Sequence, residues 1–197
     1  GVTLSEEQYK LSNERAKQRG VSDRVQFLLK DYRHLDTKFD RIVSVGMFEH
    51  VGISYFQQYF GKIQSLLAPG GVALVHAIGR KGGPGTTAKW LRKYIFPGGY
   101  IPALSETLAA SETVRLIAAD IETLRLHYAR TIRAWYANCM AHKDRIIALY
   151  DERFFRMWTF YLAGAATVFE HGSMCNYQIQ YTRSRRALPI TRDYLYT

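Results

Sequence analysis

Sulfur, acid and long apolar stretches are what this chain is short of. Its 197 residues hold two cysteines, Cys139 and Cys175, in neither CxxC nor zinc-ligand spacing. That argues against a disulfide-stapled scaffold and predicts two reduced thiols in a cytoplasmic protein, with no metal site. No run reaches the ~18 uninterrupted apolar residues of a membrane-spanning helix. The opening stretch Gly1-Val2-Thr3-Leu4-Ser5-Glu6-Glu7 has neither the basic nor the apolar region of a secretory leader. Aspartate and glutamate number 17 against 27 lysines and arginines, a formal net charge of +10. Such a surface favours an anionic partner, either nucleic acid or an anionic membrane face. The densest basic cluster, Arg183-Ser184-Arg185-Arg186, reads by itself as a solvated tail.

What is present is globular. Hydrophobic residues make up 47% and charged residues 22% of the chain, enough for one sizeable core. Short apolar runs alternate with helical patterns, which predicts an α/β fold with a mainly parallel sheet. Ser5, with Gln8 three positions on, predicts a capping box opening a helix to about Lys17. Val25–Leu29 and Phe39–Val45 read as strands, and Tyr55–Leu67 as a helix with one apolar stripe. Pro69-Gly70-Gly71 should end that helix before a buried parallel strand, Val72–His76. From Gly79 to about residue 103 the pattern breaks into loops, an insertion expected to lie over the mouth of the sheet. A short helix at Leu104–Ala110 and a strand at Val114–Ile121 follow. Residues 124–150 read as helical with a break near His142, and Asp151–Phe169 as a second long helix stopped by His171-Gly172. Tyr177–Tyr181 alternates as a final strand. No internal repeat or linker divides the chain, so one domain over residues 1–197 is expected.

In an open α/β sheet, ligands bind beyond the carboxyl ends of the strands. Val45 and Gly46 stand at such an end, where glycine lets a ligand approach the backbone. Thr3 and Ser5 stand at a strand-to-helix junction that can meet a polar ligand, although Ser5 and Gln8 read equally as a plain helix cap. Glu49 and His76 each follow an apolar strand and should point into one crevice, as candidate polar groups with shifted pKa values. Trp135, Tyr136, Phe155, Trp158 and Tyr161 form an aromatic stripe on the last helices, suited either to core packing or to an acyl-chain channel.

Several segments, taken in order, carry a specific resemblance. They are Gly1–Gln8, Asp31-Tyr32-Arg33, Phe39–Gly52 with its Gly46-Met47-Phe48-Glu49-His50 centre, His76-Ala77-Ile78-Gly79, Tyr94–Gly99 and His127-Tyr128. Together they resemble the cyclopropane fatty acid synthase family, which includes the mycolic acid cyclopropane synthases, over nearly the whole chain. The resemblance implies a class I S-adenosylmethionine-dependent methyltransferase (Rossmann-like) sheet with a helical lid insertion. It implies that Thr3, Leu4, Ser5 and Gln8 line the S-adenosylmethionine site, with Asp31 and Tyr32 by the adenine. It implies that Glu49, His76, the backbone of Ile78, and Tyr128 hold a bicarbonate ion.

The implied reaction gives such a site a purpose. An acyl-chain alkene attacks the sulfonium methyl carbon and becomes a carbocation, and a base must then remove a proton so that a cyclopropane ring closes. Water must be excluded, and aromatic faces can stabilise the cation. The implied partner is an unsaturated phospholipid acyl chain at an anionic membrane surface, with a cytoplasmic, peripherally membrane-associated enzyme; homodimerisation stays open. No nucleic acid partner is expected, because the chain lacks an Asn/Asp-Pro-Pro-Tyr/Phe motif. Two other readings stay open: a lipid or small-molecule C-methyltransferase without ring closure, and a non-catalytic fragment or lipid-binding module. The family's first strand and glycine-rich loop have no counterpart here, and a cysteine common in its late helix is replaced by Ala165. The sheet is therefore expected to be incomplete at its N-terminal side, as in a piece of a longer protein.

Overall fold

The computed structural model of the chain describes residues 1–196. The chain forms two compact units, Gly1–Phe39 and the residues from Asp40 onward.

The first unit is a small βαβ arrangement. Strand β1 (Val2–Thr3) leads into helix α1 (Glu6–Gln18), and β2 (Leu28–Leu29) returns parallel to β1 with Val2 opposite Leu28 and Thr3 opposite Leu29. Ser5 is the N-cap of α1 and accepts from the Gln8 amide at 3.2 Å. The reciprocal half of the expected capping box does not form. The Gln8 side chain instead accepts from the Thr3 hydroxyl at 2.8 Å, and that hydroxyl accepts from the Ser5 amide at 3.1 Å. The strand expected over Val25–Leu29 shrinks to two residues, for two reasons. Its partner β1 is only two residues long. The Phe27 amide and carbonyl are both taken by the side chain of Asn13 on α1.

The second unit is a four-stranded sheet in the order β3-β4-β6-β5, with β3 spanning Phe39–Val45, β4 Leu67–Arg80, β5 Ile117–Leu124 and β6 Met174–Thr182. The expectation of a mainly parallel sheet needs correcting. β6 runs antiparallel to both neighbours, pairing Val72–Arg80 of β4 with Thr182–Met174 and Ile117–Leu124 of β5 with Thr182–Asn176. Alternation with period two reports which face a residue takes and is blind to strand direction. β3 stands at the sheet edge, with Val43 and Val45 at 66% and 62% exposure.

Helix α2 (Phe56–Leu66) matches its predicted stripe, burying Phe56, Tyr59, Phe60, Ile63 and Leu66. The Phe60 ring meets that of Tyr181 on β6 at 5.2 Å, so this face of the sheet is the core face, where Ala73, Val75, Ala77, Ile179 and Tyr181 are buried. β4 begins directly after α2 and is longer than predicted, so His76 lies inside the strand rather than at its end. The insertion contains one short helix, α3 (Lys89–Tyr94), and the turn Phe96–Gly99. Helix α4 (Leu104–Thr113) runs three residues further than expected. The Ser111 carbonyl then accepts from the amides of Val114 and Leu116, and this turn pushes β5 three residues later than predicted.

Helices α5 (His127–Ala141), α6 (Lys143–Leu149) and α7 (Glu152–His171) follow the expected pattern, including the break at His142. Asp151 caps α7 by accepting from the Phe154 amide at 2.6 Å. Ala129 and Ile132 of α5 pack on Leu162, Ala166 and Phe169 of α7 as a separate apolar cluster.

Candidate functional site

Glu49 sits in a 3-10 turn, Phe48–His50, just beyond the end of β3. The turn is pinned from below. Phe48 is fully buried among Phe56, Tyr59 and Phe60, with ring centroids 4.3, 5.1 and 5.2 Å away. It is pinned from above by the Tyr100 amide, which donates to the Glu49 carbonyl at 3.0 Å. Gly46, which links strand and turn, has φ +61°, and its amide donates to the His76 carbonyl at 3.0 Å. Open space surrounds the position a Cβ would take there, so it is the backbone conformation that favours glycine.

The Glu49 side chain is 6% exposed, and its Oε1 accepts from the Ile78 amide of β4 at 2.5 Å. Ile78 lies opposite Asn176 of β6. The Asn176 side chain, 3% exposed, contacts the His76 ring through Nδ2···Nε2 at 3.1 Å. One small patch where β4 and β6 meet therefore gathers Glu49, His76, Ile78 and Asn176. Three of its buried polar atoms have no hydrogen-bond partner among the described residues: Glu49 Oε2, His76 Nδ1 and Asn176 Oδ1. Leaving such an atom unpaired costs about 1–3 kcal/mol, so each of the three calls for a polar partner such as a water.

Tyr128 enters from the first turn of α5, held edge-on between Phe169 at 5.1 Å and Trp135 at 5.7 Å. Burial, and then the negative Glu49 carboxyl, push its hydroxyl above the ordinary tyrosine range. Tyr161 is pushed up to about 12, by burial first and then by Tyr128. Both phenols stay protonated and able to donate near neutrality.

The other expected residues divide by unit. Thr3, Leu4, Ser5, Gln8, Asp31 and Tyr32 belong to the first, where Thr3 ends β1 and Asp31 follows β2, at the same end of a parallel pair. Asp31 caps a 3-10 turn, Tyr32–His34, and grips the Arg33 guanidinium at 2.6–3.1 Å, which holds its carboxyl down at about 2. Leu4 is 72% exposed, an apolar side chain offered beside these polar groups. Val45 and Gly46 belong to the second unit. The aromatic stripe divides as well. Tyr136, Trp158 and Tyr161 pack partly buried against the α5–α7 cluster, Phe155 is buried, and Trp135 is 44% exposed.

Three contributors escaped the sequence reading: Asn176, Phe48 and Tyr100. For Asn176 a signal exists, because Asn176, Gln178 and Gln180 alternate as polar residues on one strand face. Phe48 adjoins Glu49 in the chain but gives no local sign of its anchoring role, and Tyr100 is brought to Glu49 by the fold alone.

A cavity of about 460 Å³ lies on the polar face of the sheet, lined by Arg41, Leu74, Asp120, Glu122, Gln178 and the tail from Ala187 to Leu195. A second, of about 360 Å³, lies between Gly52–Tyr55 and the insertion. Neither is lined by the Glu49 patch. Among the described residues no cluster of His, Cys, Asp and Glu could hold a metal ion. No helix among them is long and apolar enough to cross a membrane.

Comparison with known proteins gives consistent matches. The family described as mycolic acid cyclopropane synthetase matches residues 1–179. A probable fatty acid methyltransferase of Pseudomonas putida is 39% identical over 100% of this chain and 52% of its own length. A cyclopropane-fatty-acyl-phospholipid synthase of Escherichia coli (strain K12) is 39% identical over 93% of this chain and 47% of its own length. Among solved structures, mycolic acid cyclopropane synthase CmaA1 complexed with SAH and CTAB superposes with a TM-score of 0.82 at 28% identity, covering 92% of this chain and 68% of that one. The chain thus spans about half the length of the curated relatives it matches.

Proposed function

The chain belongs to the mycolic acid cyclopropane synthetase family, and on that premise we propose that it is the catalytic part of an S-adenosylmethionine-dependent enzyme that converts the cis double bond of an unsaturated phospholipid acyl chain into a cyclopropane ring. Bound S-adenosylmethionine would supply the methyl carbon, and bound bicarbonate the base that takes a proton from the methylated, cationic acyl chain. Thr3, Leu4, Ser5, Gln8, Asp31, Tyr32, Val45 and Gly46 are the residues proposed to hold the cofactor. Glu49, His76, the Ile78 backbone and Tyr128 are proposed to hold the anion.

The observation that carries this reading is the trio of buried, unpaired atoms beside the Glu49–Ile78 hydrogen bond. Bicarbonate both donates and accepts hydrogen bonds. Glu49 Oε2 and Asn176 Oδ1 can only accept from it as long as Glu49 is ionised, whereas Tyr128 can donate. A small anion with one hydroxyl can donate to one of the two acceptors while accepting from Tyr128. The Tyr128 ring meets Phe169 edge-on, and Tyr161 lies near enough to feel the Tyr128 hydroxyl; such rings would keep water out and favour a nearby cation by about 0.5–2 kcal/mol per well-placed face.

In the full-length protein, Glu49→Gln should lower ring formation on vesicles of cis-unsaturated phospholipid by roughly 10²–10⁴-fold, the range for loss of general base action. Mass spectrometric analysis of the acyl products reads it out, and near-wild-type ring formation would overturn the role of Glu49. The name of the Pseudomonas putida relative favours a second reading, methyl transfer to a fatty chain without ring closure. A branched instead of a cyclic product from the wild-type protein would select that reading.

The insertion favours an anionic bilayer as the partner surface. Between Arg80 and Ser105 it carries Arg80, Lys81, Lys89, Arg92 and Lys93 and no acidic residue, with Trp90 and Tyr94 on α3. Binding to anionic vesicles should weaken steeply between low and physiological salt, because exposed charges are screened over about 8–10 Å there. Binding indifferent to salt in a co-sedimentation assay would point to apolar anchoring.

A further inference from the structure

The one buried side chain of the patch that the family resemblance does not account for is Asn176. Its neighbour is the part of His76 that matters most, a ring nitrogen. In a neutral imidazole one nitrogen carries the proton and the other a lone pair, and the partner of one nitrogen decides which. Asn176 Nδ2 can only donate. At 3.1 Å from His76 Nε2 it needs that nitrogen as an acceptor, which leaves the ring proton on Nδ1. Nδ1 is buried and has no partner among the described residues.

The opposite amide orientation would place Oδ1 against Nε2 and reverse the tautomer, so the position of the ring proton distinguishes the two. The patch already holds the Glu49 carboxyl, whose free Oε2 is a strong acceptor. With Nδ1 protonated, the ring and Tyr128 supply the donors, and Glu49 Oε2 and Asn176 Oδ1 the acceptors. Backbone position locks the contact: Asn176 is 3% exposed, sits directly across from Ile78, and shares a sheet face with His76.

We infer that Asn176 is a positioning residue that holds His76 as the Nδ1–H tautomer, so that the ring offers a hydrogen-bond donor to an anion beside Glu49. The inference rests on the proposed base site, and its test separates the two. In the full-length protein labelled with ¹⁵N-histidine, the His76 ring should show a protonated Nδ1 and a bare Nε2. In Asn176→Asp the new carboxylate accepts from Nε2, and the ring should switch to the Nε2–H or doubly protonated form. Asn176→Leu, uncharged and of similar size, covers the case in which aspartate prevents folding, and its ring should populate a mixture of tautomers.

Both variants should need roughly 10–100-fold more bicarbonate to reach half-maximal ring formation, the loss usual when a residue orienting a functional histidine is removed. Asn176→Gln, which keeps the donor, should recover part of that loss. A wild-type His76 carrying its proton on Nε2, or variants with an unaltered ring signature and bicarbonate requirement, would overturn the inference. A fully active Glu49→Gln would instead remove the base-site reading, while the tautomer assignment would stand or fall on the ring spectrum.

Discussion

Two regions of this molecule handle polar side chains in opposite ways. At the head of α1, Thr3, Ser5 and Gln8 satisfy one another, and Asp31 is saturated by Arg33 and its own turn. At the β4–β6 patch, Glu49 and Asn176 are buried, His76 is half-buried, and each leaves one buried atom without a partner among the described residues. The first pattern is what helix and turn geometry asks of any sequence. The second runs against stability and persists only where something else requires it. Local satisfaction at α1 is compatible with cofactor binding but does not argue for it. Unsatisfied burial at Glu49 is an argument in itself.

Beyond Glu49→Gln, the next test of that contrast is Tyr128→Phe. It removes the donor proposed for the bound anion, worth about 1.5–3 kcal/mol, so kcat/KM should fall about 10- to 100-fold with little change in the unfolding midpoint. A smaller effect comes from pH. Burial raises Tyr161 and Tyr181 from 10.0 to about 12. As pH rises from about 10 to about 12 the unfolded chain releases protons that the native state retains, so stability falls over that window. Urea unfolding followed across it should show the midpoint dropping, and Tyr161→Phe should flatten the slope. The smallest effect belongs to the satisfied region. Asp31, held at about 2 against an ordinary 3.8, contributes stability that is present above 3.8 and lost as pH falls through about 2. In Arg33→Ala its carboxyl resonance should titrate near the ordinary value, with the rest of the chain unaffected.

Elements bounded by strong local signals were legible. Phe39–Val45 was, because an apolar run ends at a glycine that must adopt positive φ. So were the five buried positions of α2, the cap at Ser5 and the break at His142. Elements defined by their partners were not. β2 lost three residues to a short partner and to Asn13, β4 gained residues at both ends, and β5 slid three positions behind the Ser111 turn. In the candidate site, Glu49 and His76 stood out as polar residues beside apolar strands, whereas Asn176 hid in what reads as an ordinary alternating strand.

The sequence by itself determined the family, the basic character, the order of helices and strands, and which residue types stand beside the strand ends, because periodicity, caps and turn residues act over a few neighbours. The tertiary structure alone decided that β6 runs antiparallel between β4 and β5. That direction places Asn176 opposite Ile78 and against His76, a hundred residues away in the chain. Hydrogen-bond pairing across a sheet depends on register between distant segments, and no local pattern of side chains encodes it.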